Sequence, residues 1–238
     1  GLVRVNVGIF MTHYLLMASF LAFPLILERT GSIPTDSHSL YYLGTLLVSF
    51  VLMSPFMWLS DNAKYSKPIL LVAITACIIS LICLGSVDSY YSLLGAISLF
   101  FMAFNLLEVM LTARVSKIAA AESRGTAMGI YSSSQFAGIF AGGAVGGMIL
   151  SGTDISTLMY VNAALCFMWL MLSLSLPRLG DIASRTFCYE GMPANQIVER
   201  LLSLRGVIDV ALIEEDKIAY LKVDNNAFDD SELATIGR

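Results

Sequence analysis

The chain is poor in charge, cysteine and histidine, and each shortage excludes a class of function. Only 13% of its 238 residues are charged, with no basic face for nucleic acid, so we expect no nucleic-acid partner. The four cysteines include no CxxC pair, and three lie in apolar runs, so neither a disulfide framework nor a zinc site is indicated. No nucleophile and base pattern stands out, so we expect no enzyme, cofactor or metal centre.

The chain is rich in hydrophobic residues. Hydrophobic residues make up 57% of the chain, and the mean hydropathy of +0.76 is far above that of an ordinary soluble domain. Runs of about 20 apolar residues predict transmembrane helices. Six such spans are predicted, at 3–27, 40–60, 68–86, 90–113, 126–150 and 156–176. The expected fold of this part is therefore an all-α bundle in the lipid bilayer.

Lysine and arginine predict the orientation of the spans. Arg29 stands alone on one side of the predicted bundle, and eight basic residues stand on the other. By the positive-inside rule the eight-residue side is cytoplasmic, so we expect both ends of the chain in the cytoplasm and the bundle in the inner (plasma) membrane. The eight residues are Arg4, Lys64, Lys67, Arg114, Lys117, Arg124, Arg178 and Arg185.

Span four places polar side chains inside an apolar run, FMAFNLLEVMLTA. Glu108 and Asn105 are three residues apart and share a helix face. A charge at the bilayer centre costs roughly 2.5 to 3.5 kcal/mol, so intramembrane acids usually face a wet cavity or a partner. We interpret this face as lining a pathway. The alternatives are a helix-packing hydrogen bond, snorkelling of the acid toward the headgroups, or an ion pair with Arg114 or Arg124.

Two other spans carry polar groups. His13 lies about 15 Å of helix rise into span one, where it would be a proton carrier or, alternatively, a histidine bonded to a neighbouring helix. Span five begins with the polar segment from Tyr131 to Gln135, which we expect to meet water or substrate in part. The glycines that follow predict a helix-packing face, with a role in the permeation path as the alternative. They are Gly138, Gly142, Gly143, Gly146 and Gly147.

The sequence divides into three parts. Residues 1–178 form the predicted bundle, 179–185 a linker and 186–238 a soluble module that holds ten acidic against five basic residues. The module reads as strand, helix, strand, strand and a second helix opening at Asp229, which is a ferredoxin-like unit without its last strand. Because the module lacks that strand and the chain opens without methionine, we expect it to be cut from a longer protein.

Three segments carry a family resemblance. GIFMTHYLLMASFLAFPLIL, FNLLE followed by VSKIAA, and RGTAMGIYSSSQFAGIFAGGAVGG resemble the second half, helices 7 to 12, of a transporter of the major facilitator superfamily in the drug:proton antiporter branch. The likeness covers nearly the whole chain, because some members of the family carry a soluble C-terminal ferredoxin-like domain that the module at 186–238 resembles. It implies that spans one and four line a cavity, two and five flank them, and three and six are peripheral.

The family's motifs are only partly present. The glycines from Gly138 to Gly147 resemble a pseudo-repeat of the antiporter motif, with Gly143 where that motif has proline, so they do not establish antiport. Asp61 and Lys67 resemble a remnant of the family's cytoplasmic loop motif, although a solvated charged loop explains them equally. The EGMPAN loop replaces the CxxC of heavy-metal-associated domains, so we expect no soft-metal site.

The leading hypothesis is a secondary transporter that exports a small amphipathic molecule against proton entry. Glu108 would be the protonatable group and Asn105 its hydrogen-bond partner, with His13, Tyr131 and Gln135 as cavity contacts. The resemblance implies an absent partner, the N-terminal six-helix half of the same transporter. The alternative is a degenerate transporter that acts as a sensor or binding protein through its acidic cytoplasmic domain.

Overall fold

Six long helices occupy the apolar runs of the sequence. The computed structural model describes residues 2–29, 33–119, 124–176, 182–189, 193–213, 217–224 and 227–229. Each predicted span has its helix, and all six are long and apolar enough to cross a membrane, so the predicted six-span architecture is confirmed. The helices are α1 (Leu2–Arg29), α2 (His38–Ser60), α3 (Ala63–Gly85), α4 (Tyr90–Ile118), α5 (Arg124–Gly152) and α6 (Ile155–Leu174).

Polar residues in the short connections begin three of these helices. The Asn62 side chain accepts the backbone N–H of Lys64 and begins α3, and Ser89 forms a capping box at the start of α4. Asp154 accepts the backbone N–H of Thr157 at 2.7 Å and begins α6. Hydrogen bonds from Thr157 also lower the pKa of the Asp154 carboxyl, so this cap is charged at neutral pH.

Helices α1 and α4 form the centre of the bundle, because α1 contacts α4, α5 and α6 whereas α4 contacts α1, α2, α3 and α5. Helix α3 packs between α4 and α6, and α2 packs mainly on α4. Large apolar side chains of α1, α3 and α4, among them Phe23, Leu70 and Phe100, are fully buried. Helices α2 and α5 are mostly exposed, so their outer faces are free for lipid or for another set of helices.

The glycines of α5 bring that helix close to α1. At Gly138 and Gly142 the backbone of α1, at Phe10 and Tyr14, fills the space that a Cβ would take. Gly146 lies in the same row, where a Cβ would be 3.1 Å from the Cα of Ala18. Small residues allow such close backbone contact between membrane helices, where association depends on packing.

The other two glycines lie beside this row. A Cβ at Gly143 would meet only the flexible Met17 side chain, at 3.6 Å, and one at Gly147 would meet no heavy atom of the described residues within 4 Å. The close approach of the two helices therefore runs along every fourth residue, from Gly138 to Gly146. This spacing follows from the helical period, which returns a residue to nearly the same face after four positions.

A small α+β module follows the bundle. Its elements are β1 (Ile182–Cys188), α7 (Ala194–Ser203), β2 (Val207–Ile213) and β3 (Ile218–Asp224). The sheet order is β1-β3-β2, and β3 pairs antiparallel with both neighbours. Because β1 and β2 run parallel on either side of β3, with α7 between them in sequence, the module is a split β-α-β unit.

The module has its own apolar core beneath α7. The inward face of β3 is fully or almost fully buried, as the alternation in the sequence predicted, and it meets Ile197 and Leu201 of α7. Gly206 precedes β2 at φ +84°, a backbone conformation that favours glycine, and a Cβ there would collide with the backbone at Ala227 and Phe228. The buried residues of β3 are Ala219, Leu221 and Val223.

The module begins earlier in the sequence than its composition indicated. Strand β1 starts at Ile182, inside the stretch 179–185 that composition predicted as a linker, because its pairing with β3 extends to Asp224. The predicted second helix, after Asp229, falls outside the described residues. The ferredoxin-like assignment therefore stays a prediction, which the split β-α-β unit supports.

Candidate functional site

Three polar side chains from three helices meet inside the bundle. Counted from the helix ends on one side of the bundle, His13 lies 11 residues from Leu2, Gln135 lies 11 from Arg124, and Glu108 lies 10 from Ile118. At 1.5 Å per residue all three are therefore about 15 Å from that side. The predicted span four ended at 113, whereas α4 continues to Ile118.

His13 connects the three side chains. Its Nε2 atom lies 2.8 Å from the amide nitrogen of Gln135 and 3.6 Å from Oε2 of Glu108. Its side chain is nearly buried, and its ring meets Phe104 edge-on with the centroids 5.5 Å apart. The predicted alternative, a histidine bonded to a neighbouring helix, is present, and the acid belongs to the same cluster. We call His13, Glu108 and Gln135 the polar cluster.

Hydrogen-bond accounting assigns the tautomer of His13. Nδ1 lies 3.2 Å from the backbone oxygen of Ile9, which can only accept, so Nδ1 carries a proton. In the neutral ring Nε2 is then an acceptor and receives the N–H of Gln135. A second proton on Nε2 would turn that atom into a donor, facing either the Glu108 carboxylate or, after rotation of the amide, the Gln135 oxygen. The cluster therefore offers distinct partners to neutral and protonated His13.

The Glu108 side chain is partly exposed to solvent. Its side chain keeps 32% exposure, whereas its Oε2 atom is shielded from solvent and has no hydrogen-bond partner among the described residues. A buried carboxylate oxygen without a donor is costly, so the protonation of this group is coupled to what His13 does. Arg114, which was an alternative partner of Glu108, donates to the hydroxyl of Ser66 on α3 at 3.3 Å.

Asn105 is not the partner of Glu108, which corrects the sequence-based expectation. Its amide nitrogen donates to the hydroxyl of Ser49 at 3.1 Å, and so joins α4 to α2. Three residues of separation place two side chains on the same face of a helix, but neighbouring helices decide which groups they meet. The Ser49 hydroxyl lies in an apolar stretch of α2, and nothing in the local sequence pattern pointed to it.

Tyr131 lies one turn away from the cluster. Its hydroxyl is 3.0 Å from Oγ1 of Thr112, and Thr112 also donates to the backbone oxygen of Glu108 at 2.9 Å. Sequence reasoning overlooked Thr112, although its position four residues after Glu108 places it beside the acid on the same helix face. Tyr131 is 3% exposed, so it contacts a neighbouring helix and does not face an open cavity.

The charged residues of the predicted loop motif lie at one end of the bundle. Asp61 is exposed and follows the last residue of α2, and the Lys67 ammonium donates to the backbone oxygen of Leu174 at 2.7 Å. Arg4 makes a similar bond to the backbone oxygen of Ser175. Both cations therefore satisfy free carbonyl groups at the end of α6, a role that the helix dipole favours.

The buried position of Arg114 was not predicted. Its side chain is completely inaccessible to solvent, about one and a half turns beyond Glu108 on α4. The sequence analysis treated it as an orienting charge and as a possible ion-pair partner of Glu108, and did not predict its burial. No signal in the local sequence separates this buried arginine from exposed cations such as Lys117, because helix packing decides their burial.

Neither part of the chain shows a metal site within the residues described. In that part of the structure, no group of three or more His, Cys, Asp and Glu side chains lies close enough to hold a metal ion. Cys77 and Cys166 are buried against one another between α3 and α6, and Cys83 and Cys188 are exposed. All four are free thiols.

Six helices of membrane-spanning length and a polar cluster that joins three of them are typical of a multi-pass membrane protein of the transporter class. The chain matches the family model of the Major Facilitator Superfamily over residues 5–186. It therefore belongs to this superfamily, which is a family of transporters and not of enzymes. The resemblance drawn from the sequence motifs is confirmed at this level.

Three relatives are transporters by name. The chain is 32% identical over 235 residues to the inner membrane transport protein YajR of Escherichia coli (strain K12), covering 98% of this chain and 52% of that protein. An uncharacterized transporter of Buchnera aphidicola subsp. Acyrthosiphon pisum is 35% identical over 140 residues, which are 58% of this chain and 36% of that protein. An uncharacterized transporter of Buchnera aphidicola subsp. Baizongia pistaciae is 27% identical over 178 residues, which are 73% of this chain and 44% of that protein. The chain spans about half the length of YajR and less than half the length of the two Buchnera transporters.

Proposed function

We propose that this chain is half of a secondary active transporter, which exports a small amphipathic molecule in exchange for protons. The observation that carries the proposal is the polar cluster, in which an acid, a histidine and an amide from three helices meet about 15 Å from one side of the bundle. Such groups are expensive in a membrane interior unless a proton, an ion or a substrate uses them. Glu108 is the protonatable group of this half.

Protonation changes the charge of the cluster and its hydrogen bonds together. With Glu108 ionised and His13 protonated, the two side chains form an ion pair across 3.6 Å. A proton added to Glu108 removes that attraction and no longer favours the charge on His13. Once Nε2 has released its own proton, it can accept the N–H of Gln135. The two arrangements differ in how α1, α4 and α5 are held, which is the kind of difference that couples a proton to a conformational change.

A second set of helices completes the transporter in this proposal. Alternating access needs two halves that move around a shared site. The mostly exposed helices α2 and α5 provide the surfaces for an N-terminal six-helix half, and their exposed side chains are largely apolar, such as Val51, Phe136 and Phe140. We therefore expect the 238-residue chain to transport nothing by itself, and each experiment below uses the 12-helix protein.

The test is proton-driven flux of Glu108→Gln in vesicles with an imposed pH gradient. Glutamine keeps the shape of the side chain and removes its proton site, so the proposal expects substrate movement to lose its dependence on the gradient. Glu28→Gln is the matched control, because Glu28 lies exposed at the opposite end of α1 and accepts a hydrogen bond from Thr35. Gradient-driven flux of Glu108→Gln equal to that of the wild type would remove Glu108 from the mechanism.

The proposed location is the inner membrane, with both chain ends in the cytoplasm. The name of the YajR relative and the distribution of Lys and Arg support this. Cys188 in the soluble module is an exposed native thiol, so a membrane-impermeant maleimide tests it directly. Labelling is expected in inverted vesicles and not in intact cells, with Asp88→Cys in the opposite connection giving the reverse result. Labelling of Cys188 in intact cells would reverse the orientation.

A sensor role for the soluble module is the second candidate. The ammonium group of Lys222 on β3 donates to the backbone oxygen of Ala119, next to the end of α4, at 3.4 Å. Burial lowers the pKa of Lys222, and nearby Asp209 acts in the opposite direction. This contact connects the soluble module to the end of α4, the helix that carries Glu108. Titration of the 12-helix protein with metal ions and basic peptides tests the role, which fails if none of them binds.

A further inference from the structure

A second polar contact joins α4 to α5 beside the polar cluster. Thr112 follows Glu108 by four residues on α4, and Tyr131 precedes Gln135 by four on α5, so each lies one helical turn from a member of the cluster. The Tyr131 hydroxyl and Oγ1 of Thr112 are 3.0 Å apart. The contact therefore lies one turn from the polar cluster on both α4 and α5.

Proton counting gives this contact a direction. A threonine hydroxyl has one proton to donate, and Thr112 gives it to the backbone oxygen of Glu108 at 2.9 Å. Oγ1 of Thr112 can then only accept from Tyr131, so the tyrosine is the donor. The result is an ordered chain from the Tyr131 hydroxyl through the Thr112 hydroxyl to the carbonyl group of Glu108 itself.

The packing of the bundle explains why such a tie matters. His13 and Gln135 lie on helices that are pressed together, because α1 and α5 meet backbone to backbone at Gly138 and Gly142. Helix α4 makes far fewer contacts with α5 than α1 does. The distance from the Glu108 carboxylate to His13 therefore depends on what holds α4 to the α1 and α5 pair.

We propose that Tyr131 and Thr112 are positioning residues that hold the Glu108 carboxylate within reach of His13. This inference rests on the proposed function, because it assigns the two hydroxyl groups a part in the proton site of the same half. Among the described residues, the ionisable groups that face Glu108 are His13 of α1 and Tyr131 of α5. Helix α2 meets the same face of α4 through the uncharged pair of Ser49 and Asn105.

The test is the pH profile of proton-coupled flux in the 12-helix protein carrying Tyr131→Phe, Thr112→Val or both. Each single change removes one hydroxyl with little change of shape. We expect either to shift the midpoint of the profile by about half a pH unit, the scale of one lost neutral hydrogen bond. The double variant should shift it no further, because the two hydroxyls act on one another. Thr112→Ser should restore the wild-type profile.

Matched controls separate the positioning role from general loss of a hydroxyl. Thr75 on α3 makes the same bond to the backbone oxygen four residues earlier and is exposed, so Thr75→Val should leave the profile unchanged. Tyr160 on α6 is also exposed, so Tyr160→Phe is the tyrosine control. A midpoint that stays in place in both single variants, while Glu108→Gln abolishes coupling, would overturn the positioning role and leave the proposed function standing.

A distance measurement keeps the inference testable if flux is lost or if the proposed function fails. Spin labels at Val109 on α4 and Ile130 on α5, which are both exposed, report the separation of the two helices. Tyr131→Phe is expected to broaden or lengthen the distance distribution, and Tyr160→Phe is not. An unchanged distribution in Tyr131→Phe would overturn the tie between the helices, whatever Glu108→Gln does to transport.

Discussion

Replacing Gly142 by alanine tests the close approach of α1 and α5. The added Cβ would overlap the backbone oxygen of Tyr14 and would lie 2.9 Å from its Cα. Ordinary van der Waals contact begins at 3.4 Å, so the second of these contacts alone is about 0.5 Å too short. Both colliding atoms belong to the backbone of a helix and cannot rotate away. The two helices would have to separate, and the polar cluster between them would open.

The expected cost follows from two opposing effects. Overfilling a packed interface typically costs 1 to 3 kcal/mol, and about 0.5 to 1 kcal/mol is regained because alanine is the better helix former. The difference of these ranges is about 0 to 2.5 kcal/mol, and because the collision at Gly142 is with backbone atoms we expect the upper part of that range, about 1 to 2.5 kcal/mol. Gly147→Ala is the matched control on the same helix, because no heavy atom of the described residues lies within 4 Å of its Cβ position. It should be neutral or slightly stabilising.

Native cysteines provide the assay. Cys77 and Cys166 are buried between α3 and α6, so a thiol-reactive fluorophore reports unfolding in detergent as the temperature rises. Cys83 and Cys188 are exposed and react at the start, which sets the baseline. We expect the transition of Gly142→Ala well below that of the wild type and that of Gly147→Ala at or above it. Equal transition temperatures for the two variants would refute the backbone contact.

Two further predictions concern contacts between elements. Asn105→Leu and Ser49→Ala should show a coupling energy of about 0.6 kcal/mol in a double-mutant cycle on thermal unfolding, because this is the average for such hydrogen bonds in membranes. Strictly additive effects of the two substitutions on stability would contradict the hydrogen bond. Lys222→Gln should raise the rate of limited proteolysis between the bundle and the soluble module a few-fold, because a partly exposed cation contributes at most about 1 kcal/mol. Lys217→Gln, at the exposed residue just before β3, is the control. Equal rates for the two variants would contradict a role of the Lys222 contact.

Local sequence was sufficient for the course of the helices. Hydrophobic length is a property of consecutive residues, so six spans could be placed within a few residues of α1 to α6. Alternation likewise predicted the buried face of β3. The ends were less accurate, as α4 runs five residues past its predicted end, because polar residues beyond the hydrocarbon still continue a helix.

The partners of the polar residues could not be predicted in the same way. Asn105 and Glu108 share a helix face, as expected, but one meets Ser49 of α2 and the other His13 of α1. The two residues are about 60° apart around the helix axis, so the rotation of α4 decides which neighbour each of them meets. Rotation is set by side-chain packing along the whole interface, which no short window of sequence contains.

The sequence by itself determined that the protein lies in a membrane, that its glycines recur every four residues, and which side chains are expensive there. These are properties of composition and spacing along one chain segment. Only the tertiary structure decided that α1 presses its backbone onto that glycine row, that Arg114 is buried, and that His13 stands between Glu108 and Gln135. Each of these depends on distances between residues that are far apart in sequence, and helix packing alone brings them together.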